Sequence, residues 1–242
     1  EQAIEPRRQA LLQTLNDGLF HGRAGQVDRA LARLLQLGAS PETLSGALAR
    51  YDAAHNEWGV THAMPVALDV LKLIESRGDP LAALLPLALA AEVLGETAIR
   101  LAPRALPPNA PTASETEFLE AFRRQDAPRA EALIRTAWTK GARLGTLEPW
   151  FMKACSEHFL ALGHGLIFSV KAFDLLSEVS ADHAPAILGA LAHGLCQQTR
   201  EDVLPEWRWF RREMEAMTAR FEGWVAQTRR QLGPEERARL LN

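Results

Sequence analysis

The feature that most constrains the fold is the excess of alanine and leucine over the β-branched residues. The 242 residues include 40 Ala and 37 Leu, whereas Val and Ile together number only 15 and there is one Tyr. Helices favour Ala and Leu, while strands favour β-branched and aromatic side chains. The composition therefore excludes an all-β fold, disfavours a parallel α/β sheet and predicts an all-α protein.

Charge and cysteine content limit the partners of the chain. The net charge is −3 with dispersed basic residues, which gives no sign of a nucleic-acid partner. The longest apolar run, from Leu81 to Leu94, is too short to span a bilayer. Two cysteines in apolar helical patterns indicate a reducing compartment rather than a disulfide framework. We therefore expect a cytoplasmic protein that binds neither nucleic acid nor membrane.

The chain matches itself when it is shifted by about 103 residues, which is typical of a tandem repeat. Ala54–His62 corresponds to Glu157–His164, and the helix patterns and turn glycines on either side keep their order. We therefore predict two internal repeats, Pro6–Leu101 and Ser114–Thr199, within a single all-helical domain that covers residues 1–242.

Each repeat shows the periodicity of five helices. Those of the first repeat are predicted at Pro6–Leu19, Gln26–Leu37, Pro41–Glu57, His62–Ser76 and Pro80–Leu94. A proline-rich linker separates the repeats, which we expect to be related by an approximate two-fold axis. Residues 200–242 form a C-terminal extension, in which Leu204–Gln231 is predicted to be a long amphipathic helix.

Four of the seven histidines occupy matching places in the two repeats. His55 and His62 correspond to His158 and His164, and a glycine lies within each pair. Imidazole is the commonest metal-binding side chain, so two such pairs related by a two-fold could converge on one metal. His193, in an apolar stretch of the last helix of the second repeat, could reach the same centre.

The histidine spacing does not by itself identify a metal site. It matches neither the His-Glu-x-x-His pattern of zinc proteases nor the Glu-x-x-His pair of di-iron bundles. Any one of these histidines could instead be hydrogen-bonded in the core or lie at a helix cap. The sequence has no Gly-rich phosphate loop, Gly-x-Ser-x-Gly elbow or Cys-x-x-Cys motif, so it offers no competing chemistry.

The fourth helix of each repeat is apolar on nearly every side, which predicts burial. Asp69 lies seven residues after His62, and Lys171 lies seven residues after His164. Buried charges are costly unless they are paired or bound. We therefore expect Asp69 and Lys171 in the interior, either as an ion pair or as catalytic groups. In the catalytic interpretation Asp69 is a metal ligand or base, and Lys171 holds an anion or a reduced oxygen species.

The second repeat carries Gly163-His-Gly-Leu-Ile-Phe-Ser-Val-Lys-Ala-Phe-Asp-Leu-Leu, then His193-Gly-Leu, then Thr199-Arg-Glu-Asp-Val-Leu-Pro-Glu-Trp. It resembles the helical region that accompanies Rieske-type iron–sulfur domains in some bacterial ferredoxin-like proteins. More distantly, it is similar to the questin oxidase-like proteins, which are all-helical and linked to oxidative ring cleavage. The resemblance covers roughly 54–94 and 157–207. It implies functional roles for His164, Lys171 and His193, and less directly for Arg200, Glu201 and Asp202.

Two functional hypotheses follow. The first is a metal-dependent oxidoreductase or oxygenase, with iron held between the repeats by several of the five histidines, acting on a small organic substrate. Because the chain lacks paired Cys/His motifs for an iron–sulfur cluster, an electron donor would have to be a separate iron–sulfur protein. The alternative is a non-catalytic helical repeat that binds a partner protein or, as a less favoured ligand, haem.

Overall fold

The computed structural model describes residues 4–75, 80–97, 103, 105–213 and 216–217. Within these residues the chain is all-helical and contains no strand, which confirms the predicted fold class. Ten α-helices run as far as Gln197: α1 (Ile4–Phe20), α2 (Ala24–Gln36), α3 (Pro41–His55), α4 (Ala63–Glu75), α5 (Leu84–Thr97), α6 (Glu115–Arg123), α7 (Ala127–Thr139), α8 (Leu144–Glu157), α9 (His164–Glu178) and α10 (Ala184–Gln197).

The helix boundaries follow from local signals that the sequence displays. The Ser40 hydroxyl accepts a hydrogen bond from Thr43 N at 3.2 Å, and Pro41 is the first residue of α3. The Ser40 oxygen satisfies one of the amide N–H groups that a helix start leaves open, and Pro41 has no N–H to be left open. The helix predicted from Pro80 begins with a 3-10 turn, Pro80–Ala83, and continues as α5.

The predicted C-terminal helix is described only in part. Pro205–Trp207 forms a 3-10 turn, and residues 208–213 and 216–217 are helical. The remainder of the predicted Leu204–Gln231 helix lies outside the described residues, as does the boundary of the first repeat at Leu101.

The interior consists of two apolar cores that share helices α3 and α4. One core is built from α1–α5 and includes Leu31, Leu48 and Ile74. The other is built mainly from α6–α10, and it also takes Met64 and Leu68 from α4. Because α3 and α4 present opposite sides to the two cores, the helices before and after the linker pack as one body.

The segment after α10 is attached to the segment after α8. Ala161 N donates to Thr199 O at 2.9 Å, and Glu201 N donates to Phe159 O at 3.1 Å. Residues 198–204 are thereby held against residues 158–163, at the start of α9. None of the described helices is both long enough and apolar enough to cross a bilayer.

Candidate functional site

Helices α4 and α9 lie side by side and run in the same direction. Three contacts between them occur in the same order along both helices. The His62 and His164 rings meet first, Lys171 then binds Asp69, and Lys72 binds Glu178 at 2.8 Å. An antiparallel pair would reverse the order on one helix, so this α4–α9 seam is parallel. Its head is the end that carries the two histidines.

The head of the seam brings two predicted site residues together. The ring centroids of His62 and His164 are 5.5 Å apart and their planes are nearly perpendicular. Phe168 contacts both rings, at 5.3 and 5.8 Å. His164 Nδ1 is 2.6 Å from Ala161 O, and a carbonyl only accepts, so Nδ1 carries the proton. His62 is exposed and His164 is half-buried, so the pair is open to solvent.

The backbone reaches this head through two glycines in the left-handed region. Gly59, before α4, has φ of +96°, and Gly163, before α9, has φ of +97°. Such angles are costly for any residue with a Cβ, which explains why glycine stands at both turns. Their surroundings differ, because a Cβ on Gly59 would lie 2.3 Å from Ala190 O, whereas one on Gly163 would meet only Phe159 at 3.7 Å.

The expectation that Asp69 and Lys171 lie in the interior is wrong. They do form an ion pair, but the Asp69 side chain is 59% exposed and that of Lys171 is 33% exposed. The error arises because α4 and α9 are covered on only part of their circumference. On α9 the outward side carries Leu166, Ile167 and Val170, all at least 42% exposed. An apolar pattern on every side of a helix therefore did not mean complete burial.

Two other predicted ligands are held by carboxylates that the sequence analysis did not select in this role. His158 Nδ1 is 3.0 Å from Asp202 Oδ2, and Asp202 Oδ1 accepts from Phe159 N. His193 Nδ1 is 3.2 Å from Glu131 Oε2. Asp202 and Glu131 are almost completely buried. Buried carboxylates need partners, so these histidines satisfy a structural requirement of the core.

His55 occupies a third environment. Its ring stacks on Tyr51 with centroids 4.1 Å apart, and it meets the edge of Phe20 at 6.1 Å. Across the described residues no group of three or more His, Cys, Asp or Glu side chains is placed to hold a metal ion. The structure therefore does not assemble His55, His62, His158, His164 and His193 into one centre. The oxidoreductase activity, and the catalytic roles of Asp69 and Lys171 within it, stay predictions.

A groove lies between α2 and α5, and residues at the end of α1 and in the α1–α2 turn also line it. Its volume is about 440 Å³. Leu85 and Leu89 of α5 are 64% and 50% exposed and line it together with Leu19 and Val27. The remaining lining residues are small or charged: Gly18, Gly22, Arg23, Ala24, Asp28, Ala88, Ala91 and Glu92. We call this cavity the α2–α5 groove.

Helices α7 and α10, the second and fifth helices after the linker, pack closely, whereas α2 and α5, the second and fifth helices before it, leave a groove. Leu89 is the sixth residue of α5, and the sixth residue of α10 is Gly189. A Cβ on Gly189 would already lie within 3.4 Å of Arg135 and Glu131 of α7. Because Gly189 has no side chain, α7 approaches α10 closely and buries Glu131.

Asp52 is a buried carboxylate that sequence reasoning missed. It is fully buried on α3, and its oxygens accept from Thr61 N and from the Thr61 hydroxyl, each at 2.8 Å. Burial raises the pKa of Asp52 from 3.8 to about 6, against the lowering effect of the Thr61 hydrogen bonds. Thr61 in turn accepts from Ala63 N, so Asp52 fixes the turn that presents His62.

Comparisons of the chain with protein-family models, with curated proteins and with solved structures find no match. The resemblance to the helical region of Rieske-associated proteins and to questin oxidase-like proteins therefore stays a prediction.

Proposed function

We propose that this protein binds a small, mainly apolar molecule in the α2–α5 groove. The observation that carries the proposal is the exposure of Leu85 and Leu89 along a concave surface of about 440 Å³. Small-molecule sites are typically apolar clefts of about 300–1,000 Å³. This function is non-catalytic, like the alternative hypothesis from the sequence, but its ligand is a small molecule rather than a partner protein or haem.

The size of the exposed apolar area supports the proposal. Fully burying a leucine side chain is worth about 1.5–3 kcal/mol, and the two half-exposed leucines leave part of that gain unrealised. In the α7–α10 pair a glycine replaces the leucine and the helices close. The chain can therefore pack such a pair of helices closely. In the open α2–α5 groove, a bound apolar molecule would cover the exposed leucine side chains and supply the missing hydrophobic stabilisation.

The rim of the groove would orient polar atoms of the ligand. Arg23 carries a positive charge at the start of α2, whereas Asp28 and Glu92 carry negative charges. Arg23 lies 3.8 Å from Asp17, a long contact between exposed side chains, and such pairs contribute little. Because the rim contains both signs, it favours a neutral or zwitterionic ligand with an apolar body.

The experiment uses the neutral fluorescent apolar probe N-phenyl-1-naphthylamine with the full chain. Leu89→Gln should weaken probe binding several-fold, since it places an amide in the apolar wall. Leu73→Gln is the matched control, because Leu73 is a comparably exposed leucine on α4 that does not line the groove. Equal loss of binding in both variants, or none in either, would contradict the proposal.

We also propose that the two sets of five helices form a duplicated unit related by an approximate two-fold axis. The equal number of helices on each side of the linker supports this, and so do the two left-handed glycines and the parallel α4–α9 seam. Superposition of Ile4–Thr97 on Glu115–Gln197 in an experimental structure tests it. If α4 failed to overlay α9 when α2 overlays α7, the repeat would be rejected.

A further inference from the structure

We propose that His62 and His164 together bind one divalent transition-metal ion at the head of the α4–α9 seam. Neither residue lines the α2–α5 groove, so this site is separate from the proposed ligand site. It also differs from the five-histidine centre predicted from the sequence, because only two protein side chains bind the ion.

The distance between the rings suits a shared ion. Two imidazoles that bind one ion through nitrogen have ring centroids no more than about 6.5 Å apart, since each metal–nitrogen bond is about 2.1 Å. The observed separation is 5.5 Å, which corresponds to a nitrogen–metal–nitrogen angle close to tetrahedral. The centroid separation therefore requires no movement of α4 against α9.

The protonation of His164 is already that of a metal ligand. Its Nδ1 proton is donated to Ala161 O at 2.6 Å, which leaves the Nε2 lone pair available. Metal-binding histidines usually donate their second nitrogen to a carbonyl or carboxylate in this way, which fixes the ring and raises its basicity. Phe168 packs against both rings and restricts their rotation further.

The surroundings leave the other coordination positions to water. Asp69, seven residues along α4 from His62, is engaged by Lys171. Gln198 approaches the α9 backbone one residue after His164, at Gly165. Its Oε1 lies close to Gly165, is buried and lacks a hydrogen-bond partner among the described residues. Neutral imidazoles favour Zn²⁺, Cu²⁺ or Ni²⁺ over Mg²⁺ or Ca²⁺.

The test is calorimetric titration of the full chain, purified without a polyhistidine tag, with Zn²⁺ alone. We expect one ion per chain. Loss of an outer-shell partner alone costs about 10–100-fold in metal affinity, so His62→Ala and His164→Ala should each cost at least as much. His21→Ala is the control, because His21 is exposed and its ring contacts Asp17 and Phe20, far from the α4–α9 seam in sequence. Unchanged affinity in either seam variant, or half an ion per chain, would overturn the proposal.

A second measurement does not depend on the variants. In ¹⁵N-labelled wild-type protein, Zn²⁺ should shift the imidazole nitrogens of His62 and His164 and leave those of His158 and His193 in place, since carboxylates hold the latter two. Shifts confined to other histidines would reject the site even if zinc binds. An identical titration with Mg²⁺ should give no shift.

Discussion

The helices before and after the linker have the same order, yet one crossing is open and the other is closed. Between α2 and α5, Leu89 and Asp28 remain at the surface and a groove results. Between α7 and α10, Gly189 and Glu131 take the matching helix positions, and Glu131 is buried. The difference teaches that the size of one side chain at a helix crossing can decide whether two helices enclose a ligand-sized space or exclude it.

The largest change in stability is expected from substituting the glycines in the two turns before α4 and α9, and it should differ between them. Gly59→Ala should lower the free energy of unfolding by about 3–5 kcal/mol, because it adds left-handed strain to a collision with the α10 backbone. Gly163→Ala introduces the same backbone strain without a collision, so it should lower the free energy of unfolding by about 1–2 kcal/mol. Urea unfolding monitored by circular dichroism measures both. Equal costs would show that the loop before α4 does not pack on α10 as described.

The next comparison concerns the twelfth residue of α3 and of α8, which is Asp52 in one and Cys155 in the other. The pKa of Asp52 is raised from 3.8 in the unfolded chain to about 6 in the folded chain. The folded state thus binds the proton more tightly. Stability from this group is fully present below about pH 4 and is lost as the pH rises to about 6, by up to about 3 kcal/mol.

Asp52→Asn should remove that dependence, so the stability difference between wild type and variant should change between pH 4 and 6 and then level off. Cys155→Ser is the control, because burial raises the pKa of the Cys155 thiol to about 11 and keeps it neutral in this range. The measurement is the free energy of unfolding in urea at each pH. A difference that is constant from pH 4 to 7 would contradict the burial of an ionisable Asp52.

The fifth residue of α2 and of α7 provides a smaller contrast. Glu131→Ala should cost about 1–3 kcal/mol, because it removes the buried partner of His193. Asp28→Ala, at the exposed matching position, should stay within about 0.5 kcal/mol of wild type. Thermal unfolding of the two variants side by side checks the pair. If both were neutral, the tight closure of α7 on α10 would not be the origin of the difference between the halves.

The smallest effect is expected at the ion pair that joins the halves along the seam. Lys171→Met should change stability by less than about 1 kcal/mol, because Asp69 and Lys171 are both solvent-exposed and such pairs contribute about 0–1 kcal/mol. Raising the salt concentration should shrink the effect further. A loss of 3 kcal/mol or more in urea unfolding would restore the buried pair that the sequence predicted.

The helices were predictable because their signals are local. Ser40, Pro41 and the turn glycines act within a few residues, so boundaries such as the start of α3 could be placed from the sequence. The meeting of His62 with His164 was also expected, because the predicted two-fold axis would bring matching residues together. Each of these predictions used either a few neighbouring residues or the similarity between two stretches of the sequence.

The rest of the site depends on contacts between distant segments. Glu131 meets His193 and Asp202 meets His158 across more than forty residues, and no spacing rule connects them. The outward side of α9 could not be identified because its apolar residues surround the helix, and only the packing of α4 and α10 decides which of them are covered. The α2–α5 groove likewise depends on a helix separation that no local pattern encodes.

The sharing of α3 and α4 between two cores has a consequence for synthesis on the ribosome. At about 5–20 residues per second, the helices through α5 emerge roughly 5–20 seconds before α10 is complete. During that interval Val60, Met64 and Leu68, which complete the second core, lack the apolar side chains of α6–α10 that cover them in the folded protein. The nascent first half therefore exposes an apolar surface on α3 and α4. A chaperone that covers this surface should raise the yield of folded protein.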